Sequence, residues 1–190
     1  MQVVRQGPRE RCAHLVRCSA LAQNKYLSRH DKALKVLSYE MLHDLGLIDE
    51  IPPWYSPVNP KPVYQSDDVQ AYWDVPVFVD HQEMRSNRVD ALFVNHKSKQ
   101  VTTLGMSCPW VNNTENKSEE KTFKYGLLRW ELKQQFPGYE VQQHIIITDA
   151  LGGWPREMDT TMHEIVGSRS REVLRKMQKA LLSGTLNIAR

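Results

Sequence analysis

Residues 88–108 read RVDALFVNHKSKQVTTLGMSC, and this stretch predicts a β-hairpin. Its two ends, 88–94 and 101–108, are rich in β-branched and other apolar side chains, as strands are. The six residues between these ends are polar, which suits a turn that joins antiparallel neighbours. The hairpin therefore predicts two adjacent strands at the centre of the fold.

The elements predicted around the hairpin give an α-β-β-β-α-β core followed by a last helix. Apolar side chains at i+3 and i+4 spacing predict helices, and short apolar runs predict strands. In chain order, these elements are a helix at 20–45, a strand at 71–79, a helix at 115–136 with Phe123, Leu127 and Trp130 on its buried stripe, a strand at 139–148 and a last helix at 159–182. This order predicts an α/β fold, a mixed sheet with helices on its faces, which nucleases share with folds that have no catalysis.

Prolines suggest how the 190-residue chain is divided. Five of the ten prolines fall in 51–63, which we interpret as an ordered connector because prolines exclude helix and central strand. The connector separates a helical segment, 1–50, from a strand-rich core, 64–155. A basic helical segment, 156–190, follows the core.

Composition bounds the function classes. The chain is 41% hydrophobic and 25% charged, which is ordinary for a soluble protein. No apolar run approaches the ~20 residues that span a bilayer, and the N-terminus lacks the apolar region of a secretory signal. Three cysteines make no disulfide framework and favour a reducing compartment. We expect an intracellular protein, and its net charge of +3 permits a nucleic-acid partner without requiring one.

The first candidate site lies on the hairpin. Side chains alternate along a strand, so Gly105 and Ser107 share one face, and the hairpin can bring Asp90 beside them. Carboxylates in such a place bind Mg²⁺, which activates water for phosphodiester cleavage. Glycine and serine leave this metal site incomplete, and Asp90 can equally be a turn residue at a strand end.

The second candidate site is a basic stripe on the helix at 115–136. Such a stripe suits the phosphates of a nucleic acid. Neighbouring glutamates at 115, 119 and 120 can instead pair with it on a solvated face. The residues of the stripe are Lys117, Lys121 and Lys124, with Tyr125 next to them. Further candidate phosphate contacts on the last helix are Arg169, Arg171, Arg175 and Lys176.

The third candidate is a zinc site near the N-terminus. Cys12, His14 and Cys18 offer thiolate and imidazole at short spacing. A closed structural zinc site needs four ligands, and the sequence shows no fourth nearby. We expect either weak zinc binding, completed by water or a partner, or no site at all.

Five stretches, taken together, resemble the C-terminal endonuclease region of site-specific non-LTR retrotransposon proteins, which are reverse transcriptases that carry a restriction-like PD-(D/E)XK endonuclease. They are HLVRCSALAQNKYLSRHDKALKVL, WDVPVFVD, NRVDALFV, LGMSCPW and NKSEEKTFKYGLLRWEL. The resemblance covers about residues 14–154. It implies a restriction-endonuclease-like core with an N-terminal helix and a remnant zinc knuckle. It also implies nicking of DNA with Mg²⁺ or Mn²⁺, DNA and possible element RNA as partners, no membrane or small-molecule substrate, and a nuclear location.

The resemblance assigns roles on the hairpin and the first strand. The family's Arg-Pro-Asp falls on residues 88–90, so the metal-binding aspartate is Asp90. Asp80 matches an acidic position that can orient metal or DNA. The family's carboxylate on the third strand falls on Gly105, which removes a metal ligand.

The resemblance also assigns roles on the helices. The family's lysines fall on Lys121 and Lys124, and Tyr125 completes that motif. His14 and Cys18 match the last two ligands of the family's zinc knuckle. Of the upstream Cys-x-x-Cys pair, Cys12 alone is present, so the resemblance implies a truncated or rearranged knuckle.

Three hypotheses follow for the function. The chain lacks the Tyr-x-Asp-Asp motif of a polymerase, so it corresponds at most to the tail of such a protein. It is an endonuclease fragment, a nuclease fold that binds nucleic acid without cutting it, or a structural module. Because Gly105 offers no ligand, we expect a very poor nuclease, in which Gly105→Glu raises both Mg²⁺ affinity and nicking.

Overall fold

A computed structural model describes residues 19–74, 76 and 89–189, which form one mixed five-stranded sheet with helices. The helices are α1 (Ser19–Asp44), α2 (Thr114–Gln135), α3 (Glu157–Val166) and α4 (Ser170–Ala189), and the strands are β1 (Val63–Gln65), β2 (Val69–Trp73), β3 (Ala91–Asn95), β4 (Gln100–Ser107) and β5 (Glu140–Ile147). The predicted α/β class and mixed sheet are confirmed. None of the described helices is long and apolar enough to cross a bilayer.

The strands follow one another across the sheet in chain order. Strands β1 to β4 are antiparallel neighbours, and β5 pairs with β4 in parallel after a crossover through α2. The predicted hairpin is β3 and β4, with Ala91 paired to Leu104. Continuing this register by one residue sets Asp90 opposite Gly105, as the sequence predicted.

Helices cover both faces of the sheet. On one face, Leu104 and Met106 of β4 join the larger core with α1, α3 and α4. On the other face, Val101 packs with Leu128 and Leu132 of α2. The alternation of side chains along β4 separates these two cores, so Gly105 lies on the face that α2 covers.

Helix α2 meets the sheet through a different stripe from the predicted one. Tyr125, Leu128 and Leu132 are buried at i, i+3 and i+7 spacing. Phe123 is 80% exposed and Trp130 is 52% exposed, so the expectation that they are buried was wrong. The helix carries two apolar stripes, and periodicity alone does not say which one faces the core.

The last predicted helix is two helices. Gly167, with a φ of 60°, follows α3, and a short 3₁₀ turn leads into α4. A positive φ is easy for glycine and costly for other residues, so the chain turns there and continues in a new direction. Part of the strand predicted at 71–79 lies outside the described residues, and its beginning belongs to β2.

The proline-rich connector is attached to α1. Lys35 donates to the carbonyl oxygens of Ser56 and Val58, and the Tyr39 hydroxyl donates to Val58 at 3.3 Å. Trp54 packs partly buried against the larger core. These contacts order a segment that has little regular structure of its own.

Candidate functional site

Asp90 is the centre of the candidate site, and its position comes from the β3–β4 hairpin. It lies just before β3, and its Oδ2 atom accepts a hydrogen bond from the backbone N–H of Met106 at 2.6 Å. From α2, Nζ of Lys121 approaches the same oxygen to 3.3 Å. The Asp90 side chain is one-fifth exposed, so it remains partly accessible to solvent.

His30 reaches the same carboxylate from α1. Its Nε2 atom lies 3.1 Å from the carbonyl oxygen of Met106 and 3.6 Å from Oδ2 of Asp90. Its Nδ1 atom lies 2.9 Å from Oδ1 of Asp31. Carbonyl and carboxylate oxygens only accept hydrogen bonds, so both ring nitrogens serve as donors and the imidazole is protonated.

The pKa values follow from these contacts. Burial lowers the pKa of His30, but the hydrogen bonds and charges of Asp31 and Asp90 outweigh burial and raise it to about 9. Burial raises the pKa of Asp90, but His30, Lys121 and the Met106 N–H outweigh burial and lower it to about 2. At neutral pH, Asp90 is therefore an anion between two cations.

Tyr125 occupies the space beside Gly105. A Cβ atom at residue 105 would lie 2.8 Å from Cζ of Tyr125 and closer still to Cε2. The Tyr125 side chain is buried, and its hydroxyl oxygen accepts a hydrogen bond from Nζ of Lys121 at 3.2 Å. Any larger side chain at residue 105 must displace this ring, so the expectation that Gly105→Glu rebuilds the site does not fit the structure.

The hydroxyl and the face of Tyr125 both hold Lys121. The ammonium lies 5.1 Å from the ring centroid, within the range of a cation–π contact. Burial, followed by the charge of Asp90, raises the pKa of the Tyr125 phenol, so the hydroxyl stays neutral. Lys121 therefore has two partners in the site and a fixed position between Asp90 and Tyr125.

The carboxylate of Asp90 is already paired with cationic side chains. Mg²⁺ sites use carboxylate oxygens that are free to face the ion. Within residues 19–74, 76 and 89–189, no group of three or more His, Cys, Asp or Glu side chains could hold a metal. Asp90 already binds two cationic groups through Oδ2. Asp80, the other predicted ligand, lies outside the described residues, so the expected binding of Mg²⁺ or Mn²⁺ stays a prediction.

The structure separates the other predicted site residues. Lys117 forms an ion pair with Glu120, as expected for a solvated face. Lys124 lies in α2, but its side chain is outside the described part. The predicted zinc ligands Cys12, His14 and Cys18 also lie outside the described residues.

Two of the four predicted basic residues near α4 bind a buried carboxylate. Glu40 of α1 accepts from Nη1 of Arg169 at 2.5 Å and from Nζ of Lys176 at 2.9 Å. Arg169 also binds Asp44, and Lys176 also binds Glu172. These cations join α1 to the C-terminal helices, which leaves their charge largely matched. Arg171 and Arg175 instead line a cleft with Trp154 and Asp159.

His30 is the site residue that the sequence did not reveal. It is separated from Met106 by 76 residues, and its role depends on how α1 crosses the end of the sheet. The adjacent Asp31 is its one local sign, and a histidine beside an aspartate on a helix is common on solvated faces. Comparisons with known proteins found no matching family model and no matching curated protein.

Proposed function

We propose that this chain is a restriction-endonuclease-like module of the kind that non-LTR retrotransposon proteins carry, and that it binds DNA. Its nuclease centre cleaves DNA slowly or not at all. The observation that carries the proposal is the contact between Asp90 and Lys121, at 3.3 Å, beside Gly105. The family's motif has an acid before a hairpin strand and a lysine from the following helix, and Asp90 and Lys121 meet in this way here.

The charges around Asp90 support phosphate binding. Lys121 and the protonated His30 both lie within 4 Å of one carboxylate oxygen. The charges of His30 and Lys121 are matched by those of Asp31 and Asp90. Nζ of Lys121 carries three N–H donors, of which Asp90 and Tyr125 take two, so a phosphate oxygen at the edge of this group would gain a hydrogen bond from Lys121. Binding a nucleic-acid backbone near this end of the sheet is thus favourable for the chain's own residues.

The same charges support weak cleavage. Phosphodiester hydrolysis by this class of fold depends on carboxylates that position a metal ion. Here, Gly105 supplies no carboxylate, Tyr125 fills the adjacent space, and His30 places a positive charge 3.6 Å from Asp90. A divalent cation would have to compete with two resident cations for a single carboxylate.

The test is plasmid nicking with Mg²⁺ or Mn²⁺, run beside DNA binding over a salt series. Asp90→Asn is the matched variant, because it removes the charge and nearly keeps the shape. We expect salt-sensitive binding by the natural chain and nicking close to background in both proteins. Robust nicking by the natural chain that is lost in Asp90→Asn would overturn the proposal that the nuclease centre is weakened. Absence of DNA binding at low salt would overturn the proposal as a whole.

A further inference from the structure

Arg171 and Arg175 differ from the neighbouring basic residues of the same segment. They lie one turn apart on α4, and both are exposed. Arg169 and Lys176 are held by Glu40, whereas no carboxylate among the described residues forms an ion pair with Arg171 or Arg175. Two adjacent guanidinium groups without a carboxylate partner in the described chain are suited to an anionic ligand.

An aromatic side chain faces the same space. Trp154, Asp159, Arg171 and Arg175 together line a cleft of about 240 Å³. Trp154 is partly buried against the larger core, so part of the indole is anchored and part remains accessible. A drug-sized ligand usually occupies about 300–1,000 Å³, so the cleft suits a smaller group.

The loop before Trp154 is fixed by its own hydrogen bonds. Oδ1 of Asp149 accepts from the N–H of Leu151 at 2.8 Å and from the N–H of Gly153 at 2.9 Å. The backbone N–H of Asp149 donates to the carbonyl oxygen of Gly153 at 2.8 Å. These bonds close the loop that leads to Trp154, so the backbone there is ordered before any ligand arrives, which lowers the entropy cost of binding.

We propose that this cleft binds one unpaired nucleotide, with its base stacked on Trp154 and its phosphate on Arg171 and Arg175. The proposal rests on the proposed function, namely that the chain binds nucleic acid. Base stacking on an aromatic ring tolerates any sequence, and guanidinium groups bind phosphate oxygens in pairs. The Asp159 carboxylate repels phosphate, so the phosphate lies on the arginine side of the cleft and the base lies next to Asp159.

The topology brings this cleft to the same end of the sheet as Asp90. Strand β5 runs parallel to β4, and its last residue, Ile147, pairs with Ser107. Asp90 precedes β3, which runs the other way, so it lies at that end too. The loop that carries Trp154 follows β5 directly, and one nucleic-acid strand crossing this end of the sheet can meet both places.

The test measures the anisotropy of a labelled single-stranded oligonucleotide over a salt series, with a blunt duplex of the same sequence and a free nucleoside monophosphate as further ligands. The variants are Trp154→Leu, Trp154→Phe and the pair Arg171→Gln with Arg175→Gln. The charge-matched control is Arg129→Gln with Lys133→Gln, two exposed positions on α2 across the sheet. Circular dichroism melts establish that each variant is folded.

We expect the single strand to bind more tightly than the duplex or the free nucleotide. Removing the two arginines should flatten the salt slope by about 0.7 for each phosphate that they neutralise. Trp154→Leu should weaken binding about five-fold or more with little change in slope, and Trp154→Phe should restore most of the affinity.

Three other results would overturn the cleft assignment, and the first of them would also overturn the proposed function. If the natural chain binds no oligonucleotide, the proposed function fails and the cleft assignment fails with it. If the natural chain binds but the cleft variants match the control, only the cleft assignment fails. If the free nucleotide binds as tightly as the strand, the cleft serves a mononucleotide and not a strand, which also overturns the assignment.

Discussion

Protonation of His30 should make the stability of this protein fall as the pH rises through the weakly alkaline range. The pKa of His30 is about 9 in the fold, against an ordinary value of 6.5. One pKa unit corresponds to about 1.4 kcal/mol, so the proton on His30 contributes about 3 kcal/mol to the free energy of unfolding. The side chain is only 11% exposed, so solvent screens little of this energy.

The sign follows from which state binds the proton. Between pH 6.5 and 9, the folded chain keeps the His30 proton and the unfolded chain has lost it. Stability therefore decreases with pH in this window, by up to about 1.4 kcal/mol per unit, and the contribution is fully present below the window. The opposite shift of Asp90, to about 2, has its effect only in strong acid.

The assay is urea unfolding followed by circular dichroism, at several pH values across this window, for the natural chain and His30→Gln. Glutamine still donates to the Met106 carbonyl but carries no proton that titrates. The difference in unfolding free energy between the two proteins should shrink toward alkaline pH by about 3 kcal/mol. Parallel pH profiles for both proteins would refute the ionic role of His30, whatever their absolute stabilities.

Two further predictions concern packing on α2. Gly105→Glu should destabilise the fold by about 1–3 kcal/mol and leave nicking unchanged, because the new side chain meets the buried Tyr125 ring. Thermal melts and plasmid nicking measure these effects, and a stable variant with raised nicking would contradict the prediction. Leu128→Ala should lower the free energy of unfolding by about 2–5 kcal/mol because this side chain is buried. Phe123→Ala should change it by less than about 0.5 kcal/mol because this side chain is exposed. Equal losses of stability in urea unfolding would contradict the assignment of the buried stripe.

The hairpin was predictable because its information is local. Alternation and a polar turn specify β3 and β4, and the count of residues around that turn sets Asp90 opposite Gly105. Which stripe of α2 is buried is not local, since Phe123 and Tyr125 lie on different faces of one helix and both are aromatic. Tyr125 faces the sheet because its ring fits into the space beside Gly105, which has no side chain.

The helix break at Gly167 and the role of His30 show two further limits of the sequence. Apolar spacing continues from α3 into α4, so periodicity predicts one helix, and only the positive φ of Gly167 reveals the turn. Two carboxylates raise the pKa of His30, first the adjacent Asp31 and then Asp90, which is 60 positions away and reaches it only after the sheet has formed. Long-range electrostatics of this kind leave no local pattern in a sequence.

Gly105 and Tyr125 constrain each other, so we expect that a single substitution does not create a metal-binding centre here. A carboxylate at residue 105 requires the Tyr125 ring to move, but that ring belongs to the core formed with Leu128 and Leu132. Moving the ring also removes a partner of Lys121, which would then depend on Asp90 alone. Each residue of the site is held by the packing of another, so a carboxylate added at residue 105 would also disturb Lys121.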